Sequence, residues 1–204
     1  MPDARSRKSQ MKGSAFTARF EYLRTRHEKL WPDYLEQLAP ETRELATTRL
    51  LKNAWYPFDA FADLNVVADR VIGNGDLALV KQLGKYAAEA NLPTLYKLFY
   101  VVGSPEYIVR KAATLWSVHH TTGRSELITH QQNYVEYQLH DFAQPHRVLC
   151  KSLEGFIERS LELTGVTQIS IREKQCAAAG APYCSFHGRW VTRSMAPPPP
   201  EIIP

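Results

Sequence analysis

Three cysteines and one glutamate near the carboxyl-terminal end of the chain are the residues best suited to chemistry. Cys176 and Cys184 lie within the segment EKQCAAAGAPYC, residues 173–184, where Glu173 stands three positions before the first of them. Cys150 is the remaining cysteine of the 204-residue chain. Thiolates and a carboxylate are ligands that tetrahedral metal sites use. The spacing alone also fits buried free thiols, since cysteine is often simply a small core residue, whereas a reducing compartment disfavours a disulfide between Cys176 and Cys184.

Strand and helix periodicity predicts that these side chains meet. A strand over residues 166–173 alternates apolar and polar residues and places Glu173 on its apolar face. Burying an unpaired carboxylate is costly, so Glu173 needs a cation or hydrogen-bond donors there. Cys176 would lie on the opposite face of an ideal strand, and the chain must therefore bend near residues 174–175.

The other two cysteines come from a helix and from the last strand. Cys150 lies on the apolar stripe of a helix predicted over residues 147–164, and Cys184 begins a strand over residues 184–191. His146 and His187 are alternatives to Glu173 as the fourth ligand of a metal site.

The elements that position these residues form a mixed chain. Helical patterns fill the first two-thirds of it, two strands are predicted within residues 125–141, and one helix precedes two further strands. This order predicts an α+β fold in which an N-terminal helical part packs on a short antiparallel sheet with one long helix. The predicted N-terminal helices cover residues 15–27, 31–38, 41–51, 58–72, 77–91, 93–102 and 104–119.

Composition and charge limit the classes of function. Of the formal net charge of +4, residues 1–13 carry +3, from four basic residues and one acidic residue. We therefore expect residues 1–12 to be a disordered basic leader, residues 13–192 to form one domain, and residues 193–204 to be a disordered proline-rich tail. No apolar run is long enough to span a bilayer, and no signal peptide is visible, which predicts a cytoplasmic protein without direct nucleic-acid binding.

The chain carries no recognisable catalytic motif. It lacks a glycine-rich phosphate loop, a nucleophile elbow and an HExxH sequence. A metal ion with four protein ligands leaves no position for an activated water molecule. The sequence therefore predicts a protein that is not an enzyme.

The four residues in the order C-x22-E-x2-C-x7-C resemble the 4-vinyl reductase domain in the sensor modules of phenol-responsive bacterial regulators. The similarity runs through residues 150–156, 169–176 and 184–189, about the last third of the chain. It implies that Cys150, Glu173, Cys176 and Cys184 bind a structural zinc ion beside a pocket for a small aromatic effector. From Met11 onward, the chain also resembles a bacterial paralogous family of unassigned function.

The wider superfamily includes haem-based nitric oxide sensors and the TRAPP subunits of Golgi transport. Membership implies an internal hydrophobic cavity, frequent homodimers and, since no output domain is visible here, a separate signalling partner. The expected function is a zinc-stapled sensor of a small hydrophobic molecule. The alternatives are a scaffold subunit like those of TRAPP and a haem-based gas sensor.

A ligand pocket is predicted mainly from aromatic residues in the middle of the chain. His119 is added because the haem sensors use a histidine late in a helix, although a helix-end histidine pair explains residues 119–120 equally well. The Tyr-x-Ser-x-Arg pattern of those sensors is absent near residues 134–137. Leu139 replaces a tryptophan of the phenol sensors. The predicted pocket residues are Trp116, His119, Tyr134, Tyr137, Leu139 and Phe156.

Overall fold

The computed structural model describes the backbone of residues 8–102, 110 and 114–191 and, outside residues 92–102 and His130, their side chains. In this part of the chain the helices come first and the main sheet last. The α+β class and the antiparallel sheet are as predicted.

Six helices and one small strand pair make up the N-terminal part. Strand β1 (Gln10–Lys12) pairs antiparallel with β2 (Trp55–Pro57). The helices are α1 (Gly13–Arg26), α2 (Trp31–Gln37), α3 (Pro40–Thr47), α4 (Phe58–Val71), α5 (Ala78–Val102) and α6, whose described end covers residues 114–119.

The C-terminal part is a four-stranded antiparallel sheet with one helix packed against it. Strands β3 (Arg124–Gln131) and β4 (Tyr134–His140) precede helix α7 (Arg147–Glu162), and strands β5 (Thr167–Gln175) and β6 (Cys184–Val191) follow it. The strand order is β3-β4-β6-β5, so β6 lies between β4 and β5. Helix α7 packs on α5 on one side and on β5 on the other.

Two glycines let α5 and α7 approach each other closely. A Cβ atom added to Gly84 would lie 2.1 Å from the carbonyl oxygen of Ser152, and one added to Gly155 would lie 2.0 Å from the carbonyl oxygen of Lys81. Both neighbours are main-chain atoms, which cannot rotate away. The position of α7 therefore depends on the absence of a side chain at these two sites.

The predicted end of the basic leader at residue 12 is wrong. Residues 10–12 form β1, Met11 is buried opposite Tyr56, and the backbone N–H of Ser9 donates to Oε1 of Gln144. The partners are distant in sequence, so local composition held no sign of them. Residues 1–7 and the predicted tail at residues 193–204 lie outside the described residues.

Pro93 does not separate two helices as predicted, because α5 continues through it from Ala78 to Val102. A proline within a helix removes one hydrogen bond and bends the axis without necessarily ending the helix. The predicted start of the next helix at Ser104 falls outside the described residues, and its predicted end agrees with α6. Within the described part of the chain, no helix is long and apolar enough to cross a membrane.

Candidate functional site

An apolar pocket of about 150 Å³ lies between α1, α5, α6, β4 and α7. Its wall is almost entirely hydrocarbon, with polar groups at a few points only. The described residues that line it are Met11, Ser14, Ala15, Arg19, Ala87, Asn91, Leu115, Trp116, His119, His120, Val135, Tyr137, Leu149, Ser152, Leu153, Phe156, Ile157, Ser160 and Leu161. An apolar recess with a few converging polar groups is the usual form of a small-molecule site.

Two histidines at the end of α6 line this pocket, and each ring contacts a main-chain carbonyl oxygen of its own helix. The Nδ1 atom of His120 lies 3.3 Å from the carbonyl oxygen of Trp116, and Nδ1 of His119 lies 2.9 Å from that of Leu115. A carbonyl only accepts, so Nδ1 donates a proton in each ring. In a neutral ring with this tautomer, Nε2 carries the lone pair and is the atom that a ligand would contact.

The ring of His120 is held in place by an aromatic contact. It stacks on Trp116 with centroids 3.7 Å apart. Burial, and then the neighbouring His119, lower the pKa of His120 to about 3, which keeps it neutral. Its buried Nε2 has no hydrogen-bond partner among the described residues. Unpaired buried nitrogens of this kind are rare in native structures, so Nε2 of His120 is a candidate ligand-binding atom.

Arg19 supplies a buried positive charge at the same pocket. It is 3% exposed and projects from α1, where Nη1 donates to the carbonyl oxygen of Ala15 at 2.7 Å. Nη2 donates to Oγ of Ser152, and Nε to Oδ1 of Asn65 at 3.4 Å. Its guanidinium carbon lies 4.6 Å from the centre of the Phe61 ring.

The structure brings four of the six predicted pocket residues together in the wall: Trp116, His119, Tyr137 and Phe156. Tyr134 lies on β4 with its hydroxyl 2.9 Å from Nδ1 of His187, and Leu139 is buried in the core opposite Cys184. Neither of these two belongs to the residues that line the pocket.

Sequence analysis missed Arg19, His120 and Ser152. Arg19 follows Phe16 by three positions and precedes Leu23 by four, so it stands within the apolar stripe of α1. A charged residue in such a stripe was a visible signal of a buried functional group. His120 was seen only as half of a helix-end pair, and no pattern distinguished Ser152.

The second candidate site is the cysteine cluster, formed by Cys150, Glu173, Cys176 and Cys184. The ligand atoms of all four lie within 4.8 Å of one another. The sulfur of Cys150 lies 3.8 Å from that of Cys176 and 3.6 Å from that of Cys184. Thiolates about 2.3 Å from one tetrahedral metal ion lie about 3.8 Å apart, so the spacing suits a shared ion.

Local strand geometry explains how the cluster forms. Residues 169, 171 and 173 of β5 face inward and their neighbours outward, as the alternation predicted. The register between β5 and β6 shifts between Glu173 and Gln175, which is the predicted bend that lets Cys176 turn to the same side. The three cysteines are free thiols, so Cys176 and Cys184 form no disulfide.

The thiols of the cluster polarise one another. The hydrogen bond to Cys184, and then burial, raise the pKa of Cys150. The same hydrogen bond outweighs burial and lowers the pKa of Cys184 to about 7, helped by the N–H of Ala177, 3.3 Å from its sulfur. Oε1 of Glu173 is buried without a partner among the described residues.

Neither histidine proposed as the fourth ligand belongs to the cluster. Nδ1 of His146 accepts from the N–H of Val148 at 3.2 Å and caps α7. His187 is paired with Tyr134. Glu173, and neither histidine, is therefore the fourth member of the group that could hold a metal ion.

Comparison with solved structures identifies the fold as that of H-NOX domains. An H-NOX protein from S. oneidensis in the Fe(II)NO ligation state superposes with a TM-score of 0.68 at 16% identity, covering 89% of this chain and 100% of the other. A variant of the Tt H-NOX protein gives 0.66 at 13% identity, covering 91% and 98%. An unliganded Fe(II) H-NOX variant from K. algicida gives 0.63 at 11% identity, covering 90% and 98%.

No family model and no curated protein matches the chain. At 11–16% identity, these three structures establish the fold and nothing finer. The class is therefore an H-NOX-like α+β domain.

The assignment to the 4-vinyl reductase domain is wrong. It depended on four residues and short flanking segments in the last third of the chain, whereas the H-NOX likeness extends over 89% of it. A helix packed on a strand pair brings such residues together in more than one fold, so the spacing did not define a family.

The prediction of a structural zinc cofactor is also wrong on this comparison. The matching structures are described by iron ligation states, and one by the redox potential of its haem. The cysteine cluster alone does not establish which cofactor the protein carries.

Proposed function

We propose that this chain is a sensor domain that holds a haem group in the apolar pocket and reports the binding of a diatomic gas. The observation that supports this best is the buried Nε2 of His120, a neutral imidazole nitrogen with its lone pair free at the pocket wall. A histidine imidazole is a common axial ligand of haem iron. Nitric oxide and iron appear in the description of the S. oneidensis structure with the same fold.

The donor groups of the pocket suit a haem. His120 offers the iron ligand, the hydrocarbon walls suit a porphyrin, and Arg19 offers a cation to a propionate. A bound haem would supply an iron centre for the gas. The chain's own residues orient and shield that centre: Trp116 fixes the plane of the His120 ring, and its carbonyl oxygen holds the proton on Nδ1.

Absorption spectroscopy after haemin is added to the purified protein tests this proposal. The wild type is expected to show a Soret band that moves on exposure to nitric oxide. His120→Ala is expected to lose the band and to regain it with added imidazole. His140→Ala, on β4 and not among the residues that line the pocket, serves as the matched control and is expected to keep it. A wild type without a Soret band would end the haem proposal.

A second candidate is a sensor of a small hydrophobic molecule without haem. The volume of the pocket favours it, because a cavity of about 150 Å³ holds a single aromatic ring. The absence of the Tyr-x-Ser-x-Arg pattern agrees with it. The donor groups and the volume thus favour different occupants, and native mass spectrometry of the purified protein would identify a ligand that remains bound.

For the cysteine cluster we infer a metal-ion site, with the identity of the ion left to measurement. The converging ligand atoms, the sulfur spacing and the unpartnered carboxylate oxygen of Glu173 support it. Such an ion would join α7 to β5 and β6. Elemental analysis should find about one equivalent of a metal in the wild type and much less in Cys176→Ser, whereas Glu162→Gln should retain it. Equal metal contents in the wild type and Cys176→Ser would exclude the site.

We expect a separate signalling protein, a homodimer and a cytoplasmic location. Size-exclusion chromatography with light scattering tests the dimer directly.

A further inference from the structure

Arg19 is a buried cation that has no anionic partner among the described residues. No carboxylate pairs with it in the part of the chain that the structure describes, and its three hydrogen-bond acceptors are neutral. A guanidinium has five N–H groups, so two of them have no partner among those residues. Buried charges in proteins are ordinarily paired, and Arg19 departs from that rule.

Arg19 keeps its positive charge, and this charge acts on another group of the pocket. Burial lowers the pKa of Arg19 to about 9, so it remains protonated at neutral pH. Its positive charge also contributes to the low pKa of His120, which places the two groups in one electrostatic environment. Phe61 packs against the guanidinium, while Ser152 holds Nη2 beside the hydrocarbon wall.

The geometry points to a ligand that joins an apolar body to a carboxylate, with the body in the pocket and the carboxylate on Arg19. Charge-assisted hydrogen bonds from a guanidinium to a carboxylate are about twice as strong as neutral ones and are strengthened by exclusion of water. The inference rests on the proposed ligand-binding function of the pocket, although it does not require haem. The carboxylate belongs either to a haem propionate or to a free apolar acid.

Two matched pairs of probes separate these sources. Benzoate and benzyl alcohol differ in the carboxylate and are compared by calorimetric titration. Haemin and haemin dimethyl ester differ in the free propionates and are compared by absorbance titration. We expect the carboxylate member of at least one pair to bind the wild type at least about tenfold more tightly than its neutral counterpart.

The variant Arg19→Met should abolish that preference, and Arg26→Met, an exposed position at the end of the same helix, should keep it. Binding of neither carboxylate, equal affinities within both pairs, or a preference that survives in Arg19→Met would overturn the inference. Should Arg19→Met fail to fold, the affinity ratios of the wild type decide the question. If haemin fails to bind while benzoate is preferred, the haem proposal falls and this inference stands.

Discussion

The pocket and the cysteine cluster both use residues of α7, but they differ in the sign of their charge. The pocket has a cation that no described anion pairs with, and the cluster has a carboxylate oxygen that no described donor contacts. The pocket contains the buried guanidinium of Arg19 and the neutral imidazole of His120, with no described carboxylate paired to the guanidinium. The cysteine cluster contains three sulfurs and the unpartnered oxygen of Glu173 within 4.8 Å. The free-energy cost of burying a charge has to be offset by a partner of opposite charge. We therefore expect the pocket to bind an anion and the cluster to bind a cation. One helix can thus serve two ligand classes that do not compete.

The largest expected effect comes from a change that moves α7 and so disturbs both sites. Alanine in place of glycine within a helix normally stabilises it, but the added Cβ of Gly155→Ala would lie 2.0 Å from the carbonyl oxygen of Lys81. The helices must separate, and we expect the free energy of unfolding to fall by about 3 kcal/mol. Chemical denaturation measures this, with Arg147→Ala, an exposed position on the same helix, as control. A loss smaller than that of the control would show that the close approach of α5 and α7 is not needed.

The next effect separates the two sites. Glu173→Gln removes the anionic oxygen from the cysteine cluster and should weaken metal binding by about tenfold or more, while benzoate affinity stays within about twofold. Arg19→Met should show the reverse pattern. Metal content and calorimetric titration of both variants measure this, and a variant that changes both affinities together would show that the sites are coupled through α7.

A smaller, pH-dependent effect is expected at the polar contact between α5 and α7. Burial by itself would raise the pKa of Glu158, but the hydrogen bonds from Lys81 and Lys85 outweigh it and keep that pKa below its usual value. The contribution to stability is therefore complete above about pH 4.5 and is lost as the pH falls through the lowered pKa of the folded state.

Glu158→Gln should accordingly cost about 1 kcal/mol at pH 7 and less at pH 3. Unfolding of both proteins across this range measures it. A cost that does not change with pH would exclude the ionic explanation.

The smallest effect is expected at the exposed end of the sheet. Arg124 forms ion pairs with Glu126 and Asp141, and its side chain is 55% exposed. Solvent and salt weaken such pairs, so Arg124→Ala should change neither site and should alter stability by less than about 0.5 kcal/mol. Thermal unfolding and both binding assays measure this. Any loss of binding would show that one of the two sites reaches the edge of the sheet.

Local sequence patterns predicted most of the helices and strands, and they also predicted that the four residues of the cysteine cluster lie together. Strand alternation placed Glu173 inward and required a bend before Cys176, and both features appear in β5. Such inferences succeed because the side-chain period of a strand or helix is a property of the local backbone. They failed at Pro93 and at residues 10–12, where a continuous helix and a distant strand partner decided the outcome.

The family assignment failed for a related reason. The order and spacing of Cys150, Glu173, Cys176 and Cys184 describe one helix and one strand pair, and these elements occur in many folds. These folds differ in the path of the whole chain. The likeness to the H-NOX structure covers 89% of this chain at 16% identity, so it is visible in the fold and hardly at all in the residues.

From the sequence alone came the α+β class, the inward face of β5 and the set of four residues in the cysteine cluster, since each follows from periodicity over a few neighbouring positions. Only the tertiary structure decided what surrounds Arg19 and His120. Their neighbours come from helices and strands that are far apart in the chain. These neighbours bury the guanidinium of Arg19 and Nε2 of His120, and among the described residues neither an anion nor a hydrogen-bond partner, respectively, meets them. A charge in an apolar stripe is visible in a sequence, whereas the side chains that come to surround it are decided by the folded chain.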